Sequence, residues 1–105
     1  MDALDHLESV IAGRIGGDPA QSYVAKLHAK GTAKIAQKVG EEAVECVIAA
    51  MAYDRDGLVG EAADLLFHLL VLLADRGIAL DDVRAELTRR DGLSGIAEKA
   101  GRAKE

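Results

Sequence analysis

Aromatic residues are nearly missing from this chain: there is no tryptophan, one phenylalanine and two tyrosines among 105 residues. Proline occurs once. Ala, Leu, Val and Glu dominate instead, which favours helices over strands, and no stretch reads as a strand. Cysteine also occurs once. Cys46 therefore forms no disulfide within the chain, which suits a reducing cytoplasm. Its neighbours are small and apolar, so it reads as a buried small hydrophobe rather than a nucleophile. Positive charge is in deficit: 13 Lys and Arg stand against 18 Asp and Glu, a net charge of −5. That argues against a nucleic-acid partner held by a basic patch. It also means that a polyphosphate ligand needs a metal or local cations. The longest apolar run, Leu65–Ala74, is interrupted by His68 and is short of the roughly 20 residues that span a bilayer, so no membrane partner is expected. The N-terminal "MDALDHLESV" is acidic and amphipathic, unlike a signal peptide.

The chain is long enough for one domain with a modest core. Asp2 caps a first predicted helix to about Ala12, with Leu4, Leu7, Val10 and Ile11 on one face. "GRIGGDPAQ" breaks it. Ser22 caps a short helix, "YVAKLHAK", that ends at Gly31. A long helix follows from Thr32 to about Tyr53. Gly40 inside it costs about 1 kcal/mol relative to Ala, which suggests a close approach to the backbone. "DRDG" at 54–57 reads as a turn. A second long helix is expected from about Leu58 to Arg76, then a turn at "GIALDD" and a helix from Asp81 or Asp82 to Arg90. The domain is thus expected over 1–92, with a charged flexible tail over 93–105. The fold class is all-α, with two long central antiparallel helices and shorter flanking ones. Leu65–Ala74 is apolar almost all round and needs cover on every side. So short a chain has few helices to supply it, so a homodimer is expected.

What stands out is "KVGEEAVECVIAA", residues 38–50. At 100° per residue, Lys34, Lys38, Glu41, Glu42 and Glu45 fall within an arc of roughly 100°. Ile35, Val39, Cys46 and Ala50 border that arc, and Val44, Ile48 and Met51 lie behind it. An ordinary surface helix sets its acids opposite the core, so this stripe is expected to face a shared cavity. The next helix repeats the device with Glu61 and Asp64, three apart, and His68 four beyond. Two helices joined by a short turn are antiparallel neighbours, and Glu42 and Glu45 then converge with Glu61 and Asp64. Four such carboxylates repel, and their pKa values rise, unless a hard divalent cation binds: Mg²⁺, with Mn²⁺ the alternative. Against this stands salt-bridging within the helix, Lys38 with Glu41 or Glu42. A di-iron bundle would call for Glu-x-x-His on two helices, which this chain lacks. A non-catalytic dimerisation bundle predicts no stability change with Mg²⁺.

"EExxE" followed by "ExxD" resembles the MazG-like all-α nucleotide pyrophosphohydrolases. Within that superfamily, "SYVAKLHAKGTAKIAQKVGEEAVECVIAA" and "GEAADLLFHLLVLLADRGIALDDVRAEL" resemble the phosphoribosyl-ATP pyrophosphohydrolases of histidine biosynthesis, over about Leu4 to Arg90. The resemblance implies Mg²⁺-dependent hydrolysis of the α–β phosphoanhydride of phosphoribosyl-ATP to phosphoribosyl-AMP and pyrophosphate. A house-cleaning NTP pyrophosphohydrolase of the same superfamily is the alternative. By this resemblance Glu42, Glu45, Glu61 and Asp64 hold the metal, and Glu41 is a general base or ligates a further ion. Glu41, Glu42 and Glu45 form the catalytic set. Lys34 and Lys38 are candidate phosphate ligands. Ser22 and Tyr23 match the family's "SY" and Arg90 a terminal arginine, as possible substrate contacts. A helix cap explains Ser22 equally. His68 is read as a core histidine or a residue supporting the metal ligands, not itself a ligand. His6 and His28 are expected on the surface. Phe67 stands where the family commonly has tyrosine. The cyclohydrolase domain often fused to this enzyme is not in the chain, so a stand-alone enzyme is expected.

Overall fold

A computed structural model of the chain describes residues 2–91. The expected tail over 93–105 lies outside the described residues. Five helices follow one another: α1 (Ala3–Arg14), α2 (Tyr23–Lys30), α3 (Thr32–Met51), α4 (Arg55–Asp75) and α5 (Leu80–Arg90). No strand occurs among the described residues, so the fold is all-α as expected.

Side chains set several of the ends. The Asp2 carboxylate accepts from the Asp5 amide at 2.9 Å and Asp5 returns the bond, which starts α1. Ser22 Oγ accepts from the Ala25 amide at 3.2 Å, which starts α2, so the capping reading of Ser22 holds. Asp54 accepts from the Gly57 amide at 2.9 Å and starts α4 three residues before the expected point. The "DRDG" turn is therefore a correction: the reversal occupies Ala52–Asp54, and Gly57 belongs to the first turn of α4. A Cβ on Gly57 would lie 2.2 Å from Asp54 Oδ2, so the glycine makes room for the capping carboxylate. The left-handed residue of the turn is Tyr53, at φ 55°. Its amide bonds to the Ala50 carbonyl and the Asp54 amide to the Ala49 carbonyl, the paired closure that ends many helices. The end of α4 closes the same way with Gly77, at φ 71°.

α3 and α4 form the central antiparallel hairpin and make the most extensive helix contact. The buried core is Ile11, Val24, Leu27, Ile35, Leu70 and Val71. Ile35 begins α3 while Leu70 and Val71 end α4, so α1 and α2 cover only the end of the hairpin away from its turn. α5 is tied on through Arg84, which donates to Asp5 at 2.7 Å, and through the Leu80 amide, which donates to Glu8 at 2.7 Å.

One chain leaves Leu65–Ala74 without cover on every side: Leu66 and Leu69 are exposed, with Val44, Ile48, Met51 and Val59 nearer the turn. A Cβ on Gly40 would meet nothing within 4 Å, so no other described residue of the chain makes the close approach the glycine suggested. α4 is also longer than the apolar run suggested, and its length and composition alone would let it cross a bilayer. It carries Glu61 and Asp64 and packs along α3.

Candidate metal centre

The hairpin brings the acids to a common height. Counting outward from Tyr53, Glu42 stands level with Asp64 and Glu45 with Glu61. Ligand oxygens of Glu42, Glu61 and Asp64 lie within 4.8 Å of one another. Mg²⁺ binds oxygens at about 2.0–2.1 Å, so two ligands of one ion stand at most about 4.2 Å apart. Small side-chain rotations close that gap. Three carboxylates make a hard all-oxygen donor set, which fits Mg²⁺ or Mn²⁺. Glu45 is exposed and is not one of the three close residues. Its charge nevertheless reaches them. Burial first, then the charges of Glu42, Glu45 and Asp64 and a hydrogen bond with Glu42, push the Glu61 carboxyl above its usual value. The cluster is thus a set of acids that repel when no cation lies between them.

Cys46 borders this cluster, which corrects its reading as a plain core residue. It is half-buried, and burial followed by the charges of Glu61, Glu42 and Asp64 pushes its thiol up. A thiol so raised is a poor nucleophile, so that part of the reading stands.

Lys38 sits between the acids. Its Nζ is 3.3 Å from Glu41 Oε1 and 3.8 Å from Glu42 Oε1. Glu41 also accepts from Gln37 Nε2 at 2.8 Å. The bond to Glu41 is the chief cause that raises the Lys38 ammonium, with Tyr23, Glu41 and Glu42 adding through their charge. Glu41 is held below its usual value, by Gln37 first and then by Lys38, with the charge of Lys34 adding. Both lysines of the stripe are therefore within electrostatic reach of Glu41. A carboxylate whose proton affinity is lowered makes a weak base.

His68 is buried, with 6% of its surface exposed, and both ring nitrogens are engaged. Nδ1 lies 2.8 Å from the Asp64 carbonyl oxygen, and Nε2 lies 2.8 Å from the Tyr23 hydroxyl. Tyr23 in turn stacks on Phe67, with ring centroids 6.0 Å apart and planes at 23°. The sequence placed Tyr23 and His68 separately and gave no sign that they touch.

A second polar group went unrecognised. Asp75 accepts from Thr32 Oγ1 at 2.6 Å and lies 3.8 Å from His28 Nε2, with 7% of its side chain exposed. His28 is therefore partnered, not a plain surface residue, and the group ties the start of α3 to the end of α4. Arg90 lies in the last turn of α5, its Nε 4.0 Å from Glu86 Oε1.

Residues 4–91 match the family described as phosphoribosyl-ATP pyrophosphohydrolase. The chain is 68% identical over 101 residues to a protein of Rhizorhabdus wittichii named phosphoribosyl-ATP pyrophosphatase, covering 96% of this chain and 95% of that one. Proteins of the same name from Novosphingobium aromaticivorans and Erythrobacter litoralis are 64% and 61% identical over 102 residues, covering 97% of this chain and 95% and 98% of their own lengths.

Proposed function

From the premise that this chain belongs to the phosphoribosyl-ATP pyrophosphohydrolase family and is a hydrolase, we propose that it cleaves the α–β phosphoanhydride of phosphoribosyl-ATP, with Mg²⁺, in the cytoplasm. The products are phosphoribosyl-AMP and pyrophosphate. The observation that carries this reading is the convergence of Glu42, Glu61 and Asp64. Glu45 joins them as an outer ligand, consistent with its charge on Glu61. When bound, the cation offsets phosphate charge and activates water. Glu61 and Asp64 hold their carboxylates toward it from α4, and Glu42 from α3. Lys38 and Lys34 bind substrate phosphate from the same stripe, and Lys38 leaves Glu41 as it does so. That release removes one of the bonds that hold Glu41 low, while the bond from Gln37 stays and orients it to accept a proton in the loaded site. Tyr23, exposed beside Lys38, meets the nucleotide.

The active form is a homodimer. Val44, Ile48 and Met51 on α3 recur at helical spacing, as do Val59, Leu66 and Leu69 on α4, and all six are exposed in a single chain. Apolar rows of this kind mark a contact surface.

Turnover of phosphoribosyl-ATP against a panel of NTPs and dNTPs, with Mg²⁺ present, tests the reading. A clear preference for phosphoribosyl-ATP supports it. Preference for the panel points to a house-cleaning enzyme.

A further inference from the structure

The Tyr23–His68–Asp64 chain has a direction. A carbonyl oxygen only accepts, so His68 Nδ1 carries the hydrogen of the 2.8 Å bond to Asp64. In the neutral ring Nε2 then has a lone pair and no hydrogen. The 2.8 Å contact with Tyr23 is therefore donated by the phenol. Its one hydrogen is committed to a buried partner. The phenol oxygen keeps its lone pairs, in a part-buried bond made by a residue that is itself 48% exposed. The ring cannot swing away easily, because Phe67 stacks on it and the His68 ring meets it edge-on, 5.7 Å between centroids.

We propose that His68 is a positioning residue that fixes Tyr23 as an acceptor-only group at the rim of the acid site, selecting a hydrogen-bond donor of the nucleotide, either a sugar hydroxyl or the nitrogen at purine C6. Phosphate oxygens offer no hydrogen and are turned away from Tyr23. They are left to the cation and the lysines, which sets the orientation of the substrate across the cleft. The ammonium of Lys38, held against Glu41 and Glu42, completes the contrast: a donor for phosphate and an acceptor for the nucleoside. This rests on the reading that a nucleotide lies in this cleft.

The test is steady-state kinetics of the full chain with Mg²⁺, on phosphoribosyl-ATP, its singly deoxygenated sugar counterparts and its 6-oxo-purine counterpart. The proteins are wild type, Tyr23→Phe, His68→Phe, His68→Gln and the double variant Y23F/H68F. Tyr23→Phe and His68→Phe should each lower kcat/KM for the parent about three- to tenfold, the worth of one neutral hydrogen bond. The double variant should fall no further than the worse single one. His68→Gln keeps an acceptor oxygen near the Nε2 position and should recover most of the loss. One counterpart, the one lacking the selected donor, should be turned over equally by wild type and Tyr23→Phe, which tells sugar from base. The proposal is overturned if the two losses multiply in the double variant, or if Tyr23→Phe lowers the parent and every counterpart by the same factor. Should His68→Phe fail to fold, the Tyr23→Phe comparison across counterparts decides alone. If wild type ignores phosphoribosyl-ATP and hydrolyses NTPs, the earlier reading fails, and the same comparison on the accepted nucleotide still decides this one. If nothing is turned over, nucleotide Kd replaces kcat/KM.

Discussion

Two acids with opposite shifts give the protein a pH dependence of mixed sign. Glu61 has its folded pKa raised, so its favourable contribution is complete below the ordinary glutamate value of 4.5 and is lost as pH rises through the higher folded value. Asp5 is the reverse. Its hydrogen bond to Arg84 is the main cause that lowers its pKa, so its contribution is present above the ordinary 3.8 and is lost as pH falls through the lower folded value. Thermal unfolding of metal-free protein should therefore show Glu61→Gln gaining Tm over wild type at neutral pH, with the gap closing toward pH 4. A gap that does not change with pH would mean that Glu61 does not bear the repulsion. Adding Mg²⁺ at neutral pH should raise Tm of the wild type and much less that of Glu61→Gln. Lys38 tests the phosphate side. Lys38→Ala should lower kcat/KM by roughly ten- to a hundredfold, the scale of a charge-assisted bond. Mg²⁺ affinity of the free enzyme should hold or improve, because a positive charge has been removed. An unchanged kcat/KM takes Lys38 out of the site.

At the scale of elements, the hairpin turn is where local rules and the structure part. The sequence reads "DRDG", 54–57, as the turn. The left-handed position of the reversal falls on Tyr53 instead, and Gly57 clears space for the Asp54 cap. A non-glycine residue in that conformation costs about 1–2 kcal/mol, while glycine loses more chain entropy on folding. Tyr53→Gly should thus stabilise the chain by roughly 0.5–1 kcal/mol and Asp54→Ala should destabilise it by about 1 kcal/mol, both read by denaturant unfolding. A loss of stability in Tyr53→Gly would show that the exposed ring makes a contact outside the single chain. The period of the helices and the meeting of Glu42 with Glu61 and Asp64 were legible, because i, i+3 and i+4 spacings and one short turn fix them, while Glu45 stays exposed outside that group. The links from Tyr23 to His68 and from Thr32 and His28 to Asp75 were not. They join residues more than 40 positions apart, and no local pattern records which side chains such a fold brings together.

In the whole molecule, α1 and α2 cover one end of the hairpin and leave the turn end bare. The sequence signalled too much apolar surface for one chain, and the structure relocates the excess: it lies on Val44, Ile48, Met51, Val59, Leu66 and Leu69 rather than all round Leu65–Ala74. Sedimentation at micromolar concentration should give a dimer, and Ile48→Glu with Leu66→Glu should give a helical monomer. A monomeric wild type would contradict the reading of that face. The claim on which everything else depends is that the acid cleft, loaded with a divalent cation, breaks one bond of one nucleotide. Phosphorus-31 NMR of phosphoribosyl-ATP incubated with the protein, in parallel with Mg²⁺ and with EDTA, reads it directly. The account predicts equal amounts of pyrophosphate and phosphoribosyl-AMP in the first sample, and intact triphosphate in the second. Release of orthophosphate, or equal turnover in EDTA, would contradict it.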